Sequence, residues 1–173
     1  MDLFEAIRGR MSYRGKYLFD KVPYEDLEKI VRAGMDAPSG RNLQTTFFAV
    51  VDDENLLFEI AKIVPSGLVA SAPALIVAAF GEEDPDDIFS SEREDCAAAV
   101  QNMLLAVTAM GYASCWIDGE LKLDGRAEKI SSLLRLPAGI KAHVLLPVGR
   151  AASKEKRRQK LSFEQRACRN RCK

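Results

Sequence analysis

The sequence predicts a mixed helix-and-strand domain built around one buried helix, and three observations carry that expectation. From Cys96 to Ile117 the chain holds no charged residue, and up to Met110 it is made of good helix formers with no Gly or Pro inside. The run Ala74 to Phe80 (ALIVAAF) is short and apolar throughout, as a central strand is. Around these two, strand-like and helix-like stretches interchange without the GxGxxG or GxxxxGK(S/T) turns of dinucleotide-binding and P-loop folds. No Gly-x-Ser-x-Gly elbow is present, and His143 is the single histidine, so hydrolase triads lack material.

The totals bound the answer further. A chain of 173 residues with 47% hydrophobic side chains suits one domain over residues 1–173, of which 150–173 form a basic arm too poor in apolar residues to fold alone. Lys plus Arg and Asp plus Glu balance at 25 each, so no overall field recruits nucleic acid or an anionic membrane. The uncharged stretch could span a bilayer by length, but Gln101, Asn102 and Thr108 interrupt it and Gly111 breaks it, which favours a helix covered on several sides by its own domain or by a partner subunit. The amino-terminal MDLFEAIRGR has no signal-peptide core, and a cytoplasmic protein is expected. Cys96, Cys115, Cys168 and Cys172 make no disulfide framework or zinc pattern, and Cys168 and Cys172 read as tail residues. No metal site is expected.

Asp2 can cap a first helix whose Leu3, Phe4 and Ile7 fall at helical spacing. At its exit, Arg8 to Arg14 place three guanidinium groups and the Ser12 hydroxyl close together. Such a run can grip an anion through paired hydrogen bonds, although on this stretch alone a solvated basic turn is the simpler reading. Val22-Pro23 opens a helix with Leu27, Ile30, Val31 and Met35 on one face, ended by Pro38. A polar loop, 37–44, precedes a strand over 46–51, and a helix covers 54–63. The acidic run 82–87 (EEDPDD) reads as a solvated face, since it lacks the alternation and glycine of a calcium loop. After the central helix, Ala113 to Ile117 is a strand ending in Asp118-Gly119, an acid and a flexible N–H at a strand terminus, where ligands are often held. Arg126 to Leu134 is a helix and Ala142 to Val148 a strand; His143 packs in its core, and Pro147, unable to donate, hints at an edge or a bulge.

Four pieces together resemble the nitroreductase-like family of FMN-dependent oxidoreductases. Arg10-Met11-Ser12-Tyr13-Arg14 is similar to its Arg-x-Ser-x-Arg/Lys signature, and Ala37 to Gln44 (APSGRNLQ) to its Ala-Pro-Ser-x-x-Asn-x-Gln loop. The uncharged helix running into Gly111 to Ile117, and Pro147-Val148-Gly149-Arg150 with its basic tail, complete the likeness over nearly the whole chain. The resemblance implies an α+β fold, a mostly antiparallel sheet flanked by helices, in an intertwined homodimer whose arm embraces the partner and whose two FMN sites lie at the interface. It implies that Arg10 and Ser12 hold the flavin phosphate and ribityl chain, with Met11 in backbone contact. Arg14 then lies toward the pyrimidine edge, where a cation favours the reduced ring. Pro38, Ser39, Asn42 and Gln44 come from the other subunit. Trp116 and Ile117 lead into Asp118 and Gly119 beside flavin N5, and Arg158, helped by Lys156, completes the phosphate clamp, with Arg157 one step away as the alternative.

Departures from the pattern are also visible. Gln44-Thr45-Thr46 lacks the aromatic that often follows, and Pro65 to Ala70 holds no cation to serve as a second lysine near the ring. About a dozen residues separate strand 74–80 from the central helix, which implies an open pocket. The implied reaction is hydride transfer from NADH or NADPH through FMN to a small acceptor such as a nitroaromatic or quinone, with no side chain certain to act as acid or nucleophile. The rivals are a specialised flavoenzyme on the same scaffold (flavin-fragmenting, dehalogenating or dehydrogenating) and a non-catalytic flavin-binding redox module.

Overall fold

A computed structural model describes residues 1–82 and 86–172. Residues 83–85 of the acidic run lie outside the described residues. The helices are α1 (Leu3–Gly9), α2 (Tyr24–Met35), α3 (Glu54–Ile63), α4 (Gly67–Ala70), α5 (Glu92–Ala109), α6 (Arg126–Leu133) and α7 (Phe163–Arg166). The strands are β1 (Phe47–Val51), β2 (Ala74–Gly81), β3 (Ala113–Ser114) and β4 (Ile140–Gly149), in one sheet of order β1-β2-β4-β3 with every pairing antiparallel.

Side-chain alternation along β2 divides the core in two. Ala74, Ile76, Ala78 and Phe80 face α2 and α5, meeting Leu27, Ile30, Val100 and Met103, whereas Leu75 and Val77 face α3 and α6, meeting Ile60 and Ile130. The sheet is therefore the middle of three layers, and β2 is apolar throughout because both its faces are covered. Close contact between α2 and α5 depends on Gly34, where an added Cβ would sit 2.8 Å from Met103 Cγ.

Two irregularities in β4 bear on the site. Opposite Ala78 and Ala79 lie Val144 and Ala142, so His143 is the extra residue of a bulge. The bulge switches parity: Ala142 packs toward α6, but Val144 packs toward α5. His143 is thus half-buried rather than a full core residue, stacked on Phe80 with ring centroids 3.5 Å apart.

Pro147 marks neither an edge nor the bulge; it sits in an interior strand. Ser114 pairs with Val148 and Ile117 with Leu145, so in unbroken register Cys115 would oppose Pro147. Ile117 and Leu145 exchange both backbone bonds, and two residues on the same exchange would recur, but Pro147 has no N–H to give. The expected strand 113–117 is therefore split into β3 and a single bridge at Ile117. The Pro147 carbonyl is taken instead by the Tyr17 hydroxyl, which donates to it at 3.3 Å.

The central helix α5 starts earlier than its uncharged part, with Glu92, Glu94 and Asp95 in its first turn, where acids suit the positive end of the helix dipole. It is not covered all round within one chain. Cys96, Ala99, Val100, Met103, Leu104 and Val107 are buried, while Gln101 is exposed and Ala98, Asn102 and Leu105 are partly exposed. On α1, Asp2 caps the helix as expected and Glu5 completes a capping box with it, but Leu3, Phe4 and Ile7 are exposed. Cys168 and Cys172, read from sequence as tail residues outside any disulfide framework, form a disulfide in the arm.

Candidate cofactor site

The amino-terminal signature and the basic arm, some 140 positions apart in sequence, are brought together by a few backbone contacts. The Arg10 N–H closes α1 on Ala6 O at 2.8 Å, after which the chain runs extended. Tyr13 N–H donates to Ser114 O at 2.9 Å and its ring is buried, which leaves Ser12 and Arg14, its neighbours on either side, facing the other way. Tyr17 bridges to Ala151, Leu18 N–H donates to Arg150 O at 2.9 Å, and Ala152 N–H donates to Lys16 O at 3.0 Å and Tyr13 Oη at 3.1 Å. Glu155 then accepts the Arg14 N–H at 3.2 Å.

That docking forms a pocket of ≈ 260 Å³ lined by Arg10, Met11, Ser12, Arg14, Glu155, Lys156, Arg157, Arg158 and Lys160. Six cations and one hydroxyl against one carboxylate fit a phosphate monoester, and guanidinium groups suit its paired oxygens. Arg157 and Arg158 both line it, so the choice between them left open by the sequence is not forced. Arg14 also lines a second hollow, of ≈ 620 Å³, with Lys16, Leu68, Trp116, Ile117, Asp118 and Gly119. A cationic pocket that shares one arginine with a larger hollow of aromatic and aliphatic walls suits a phosphorylated planar ring.

Local structure fixes these walls. Asp118 accepts from Lys122 at 3.2 Å, and Leu121 N–H donates to Asp118 O at 3.1 Å, starting the short turn Gly119–Lys122. Gly119 opens that turn, where backbone N–H groups have no intrahelical acceptor. Cys115 lies in the same wall; burial pushes its thiol up, with the Arg14 and Arg10 guanidiniums pulling the other way. Burial pushes the neighbouring Tyr17 phenol far above its ordinary range, so it stays a hydrogen-bond donor.

Pro38, Ser39 and Gln44 do not join this group within the chain. They line a separate hollow of ≈ 300 Å³ between α2, β1 and α5, with Asn42 on the same loop. The loop is tightly built: Ser39 Oγ accepts the Gln44 N–H at 3.0 Å, and Arg41, Asn42 and Gln44 have φ of 51, 57 and 52°. Arg41 pairs with Asp87 and lies over the Phe89 ring, so Asp87 in the acidic run is not merely solvated, and the Arg41 guanidinium holds its carboxyl below the usual range.

Three residues escaped the sequence reading. Lys16 lines the ring-sized hollow beside Ser66, Gly67 and Leu68, supplying a cation next to the segment that has none of its own. The clue was its alternation with Arg14 along an extended run. Glu155, the lone acid in KEKRRQK, ties the arm to Arg14. Asp95 was hidden as the last charge before the uncharged helix.

A model of the nitroreductase family matches residues 7–69 and 64–150. The chain belongs to the nitroreductase family. A protein of Methanothermobacter thermautotrophicus, assigned by name to the NADH dehydrogenase/NAD(P)H nitroreductases, is 33% identical over 150 residues, which cover 86% of this chain and 77% of that one. The crystal structure of a protein given the same name, from Parabacteroides distasonis, superposes with a TM-score of 0.82 at 32% identity, covering 98% of each chain. An FMN-dependent nitroreductase of Clostridium difficile shares the fold, with a TM-score of 0.80 at 24% identity over 98% of this chain and 99% of that one. The α+β architecture expected from sequence is the nitroreductase fold, and this nitroreductase-family protein is an oxidoreductase.

Proposed function

We propose that this nitroreductase-family protein binds FMN, takes reducing equivalents from NADH or NADPH, and delivers them to a small organic acceptor such as a nitroaromatic or quinone. The observation that carries the reading is the pocket in which the Arg10–Arg14 signature meets Lys156, Arg157 and Arg158 next to a ring-sized hollow. When bound, FMN supplies the redox chemistry, accepting a hydride from NAD(P)H and passing it on, with a solvent proton completing reduction of the acceptor. Arg10, Ser12, Lys156 and Arg158 hold the phosphate, with Met11 in backbone contact. Arg14 and Lys16 place positive charge where the reduced ring gathers negative charge. Trp116 and Ile117 wall the ring, and Asp118 and Gly119 sit toward its N5 edge. No side chain need act as nucleophile.

A homodimer belongs to the same proposal. Pro38, Ser39, Asn42 and Gln44 stand apart from the phosphate pocket, and the partly exposed side of α5 together with Leu3, Phe4 and Ile7 leaves apolar surface for a second copy to cover. The arm then reaches that copy. No helix among the described residues is long and apolar enough to cross a membrane.

Titrating the flavin-free protein with FMN and with riboflavin tests the phosphate assignment. FMN binding at least about tenfold tighter than riboflavin, one site per chain, is expected from charge-assisted bonds to the phosphate. Equal affinity for the two, or no binding of either, contradicts it.

A further inference from the structure

We propose that Asp95 is a positioning residue, the latch that holds the 39–45 loop in the shape its polar side chains need to meet the flavin. The inference rests on the FMN reading above and deepens it.

Asp95 is buried to 7% exposure, the one charged side chain that the fold buries among the described residues. A carboxylate is costly to bury unless its oxygens are satisfied, so its partners indicate its purpose. Oδ1 accepts the Gly40 N–H at 2.9 Å and Oδ2 accepts the Thr45 hydroxyl at 3.4 Å. These two residues bracket the segment that contains Asn42 and Gln44. One carboxylate thus clamps both ends of the loop to the first turn of α5.

The loop needs such a clamp. Arg41, Asn42 and Gln44 occupy the left-handed region, which costs non-glycine residues free energy and persists only where the surroundings over-determine it. Gly40 presses so closely on α5 that an added Cβ would collide with Ser91 Oγ. The remaining tethers are weaker in kind: Ser39 Oγ to Gln44 N–H lies within the loop itself, and the Arg41–Asp87 pair is exposed. Among the described residues, Asp95 alone joins the loop to the central helix through a buried carboxylate. With that charge removed, the Gly40 N–H loses its acceptor and the strained segment is free to relax, so Asn42 and Gln44 are no longer preset for the cofactor.

The test compares full-length wild type with Asp95→Ala, Asp95→Asn and Thr45→Val. Three measurements are made: amide hydrogen exchange over residues 39–45, FMN affinity, and visible circular dichroism of the bound flavin. Asp95→Ala should speed exchange at Gly40 and raise the FMN Kd about tenfold, as expected for a buried donor left unpaired. It should also change the flavin dichroism, which a global loss of stability in a still-folded protein leaves alone. Asp95→Asn, which keeps an acceptor for Gly40, should restore most of the affinity, and Thr45→Val should cost about threefold. Should Asp95→Ala fail to fold, Thr45→Val and Asp95→Asn decide by the same readouts. Wild type that binds FMN, with folded variants unchanged in exchange, affinity and dichroism, overturns the latch alone. Wild type that binds no FMN ends the flavin reading and this inference with it.

Discussion

Replacing Arg10 with Ala raises the FMN Kd about 10- to 150-fold, the loss of roughly 1.5–3 kcal/mol expected for hydrogen bonds to a charged group. The effect is large because Arg10 follows directly on the end of α1, where its backbone N–H closes on Ala6 O and holds the residue beside the pocket, and on the proposed assignment its guanidinium supplies charge-assisted bonds to the phosphate. Riboflavin affinity should stay near wild type, since the side chain is directed at the phosphate. Arg8→Ala, two residues back in the last turn of α1 and outside the pocket lining, is the control and should change neither. FMN bound by Arg10→Ala at wild-type strength would remove the phosphate assignment.

Tyr17→Ala should cost stability and cofactor together. The ring is 2% exposed, meets Tyr13 edge-on at 5.3 Å, and its hydroxyl takes the carbonyl that the Pro147 gap leaves over. Deleting a buried aromatic of this size costs roughly 3–5 kcal/mol, which lowers Tm by on the order of 10 °C in a chain of this length. The same residue bridges to Ala151, where the arm leaves the sheet. Its loss therefore loosens the arm cations from Arg10 and Ser12, and FMN affinity falls even at temperatures where the protein stays folded. Tyr17→Phe keeps the packing and loses only the hydroxyl, for about 1–3 kcal/mol, and should retain FMN. Equal effects of Ala and Phe on FMN affinity would show that the aromatic body does not anchor the arm.

Where local pattern and tertiary context agree, the fold was legible. The apolar run of β2 needs cover on both faces and has it, and Asp53 ahead of α3 caps the Asn55 and Leu56 N–H groups where the helix was expected to begin. Pairing was the part that local pattern could not reveal. The missing Pro147 N–H is plain in the sequence, but that it falls opposite Cys115 is a matter of register. The bulge at His143 likewise depends on which β2 residues face it. The uncharged central helix was expected to be covered by its own domain or by a partner subunit, and a run of Ala and Leu does not say which; within a single chain one side is left partly exposed.

The site divides in the same way. By residue type alone 10–14 read as a solvated basic turn, and only the family resemblance tied them to 156–158 as a phosphate clamp; the Tyr17–Ala151 bridge that brings the two segments together is a long-range pairing that no local pattern announces. Loop 37–44 was legible as polar and small. Its dependence on Asp95 was not, because a lone acid beside other acids in a first turn looks like an ordinary dipole partner.

The most direct measurement is anaerobic absorbance of the purified, FMN-loaded protein on addition of NADH or NADPH. Bleaching of the blue-light flavin band, followed by its return when a quinone or nitroaromatic is admitted, is the predicted result. A flavin band that stays unchanged with both nicotinamides would contradict an NAD(P)H-driven oxidoreductase.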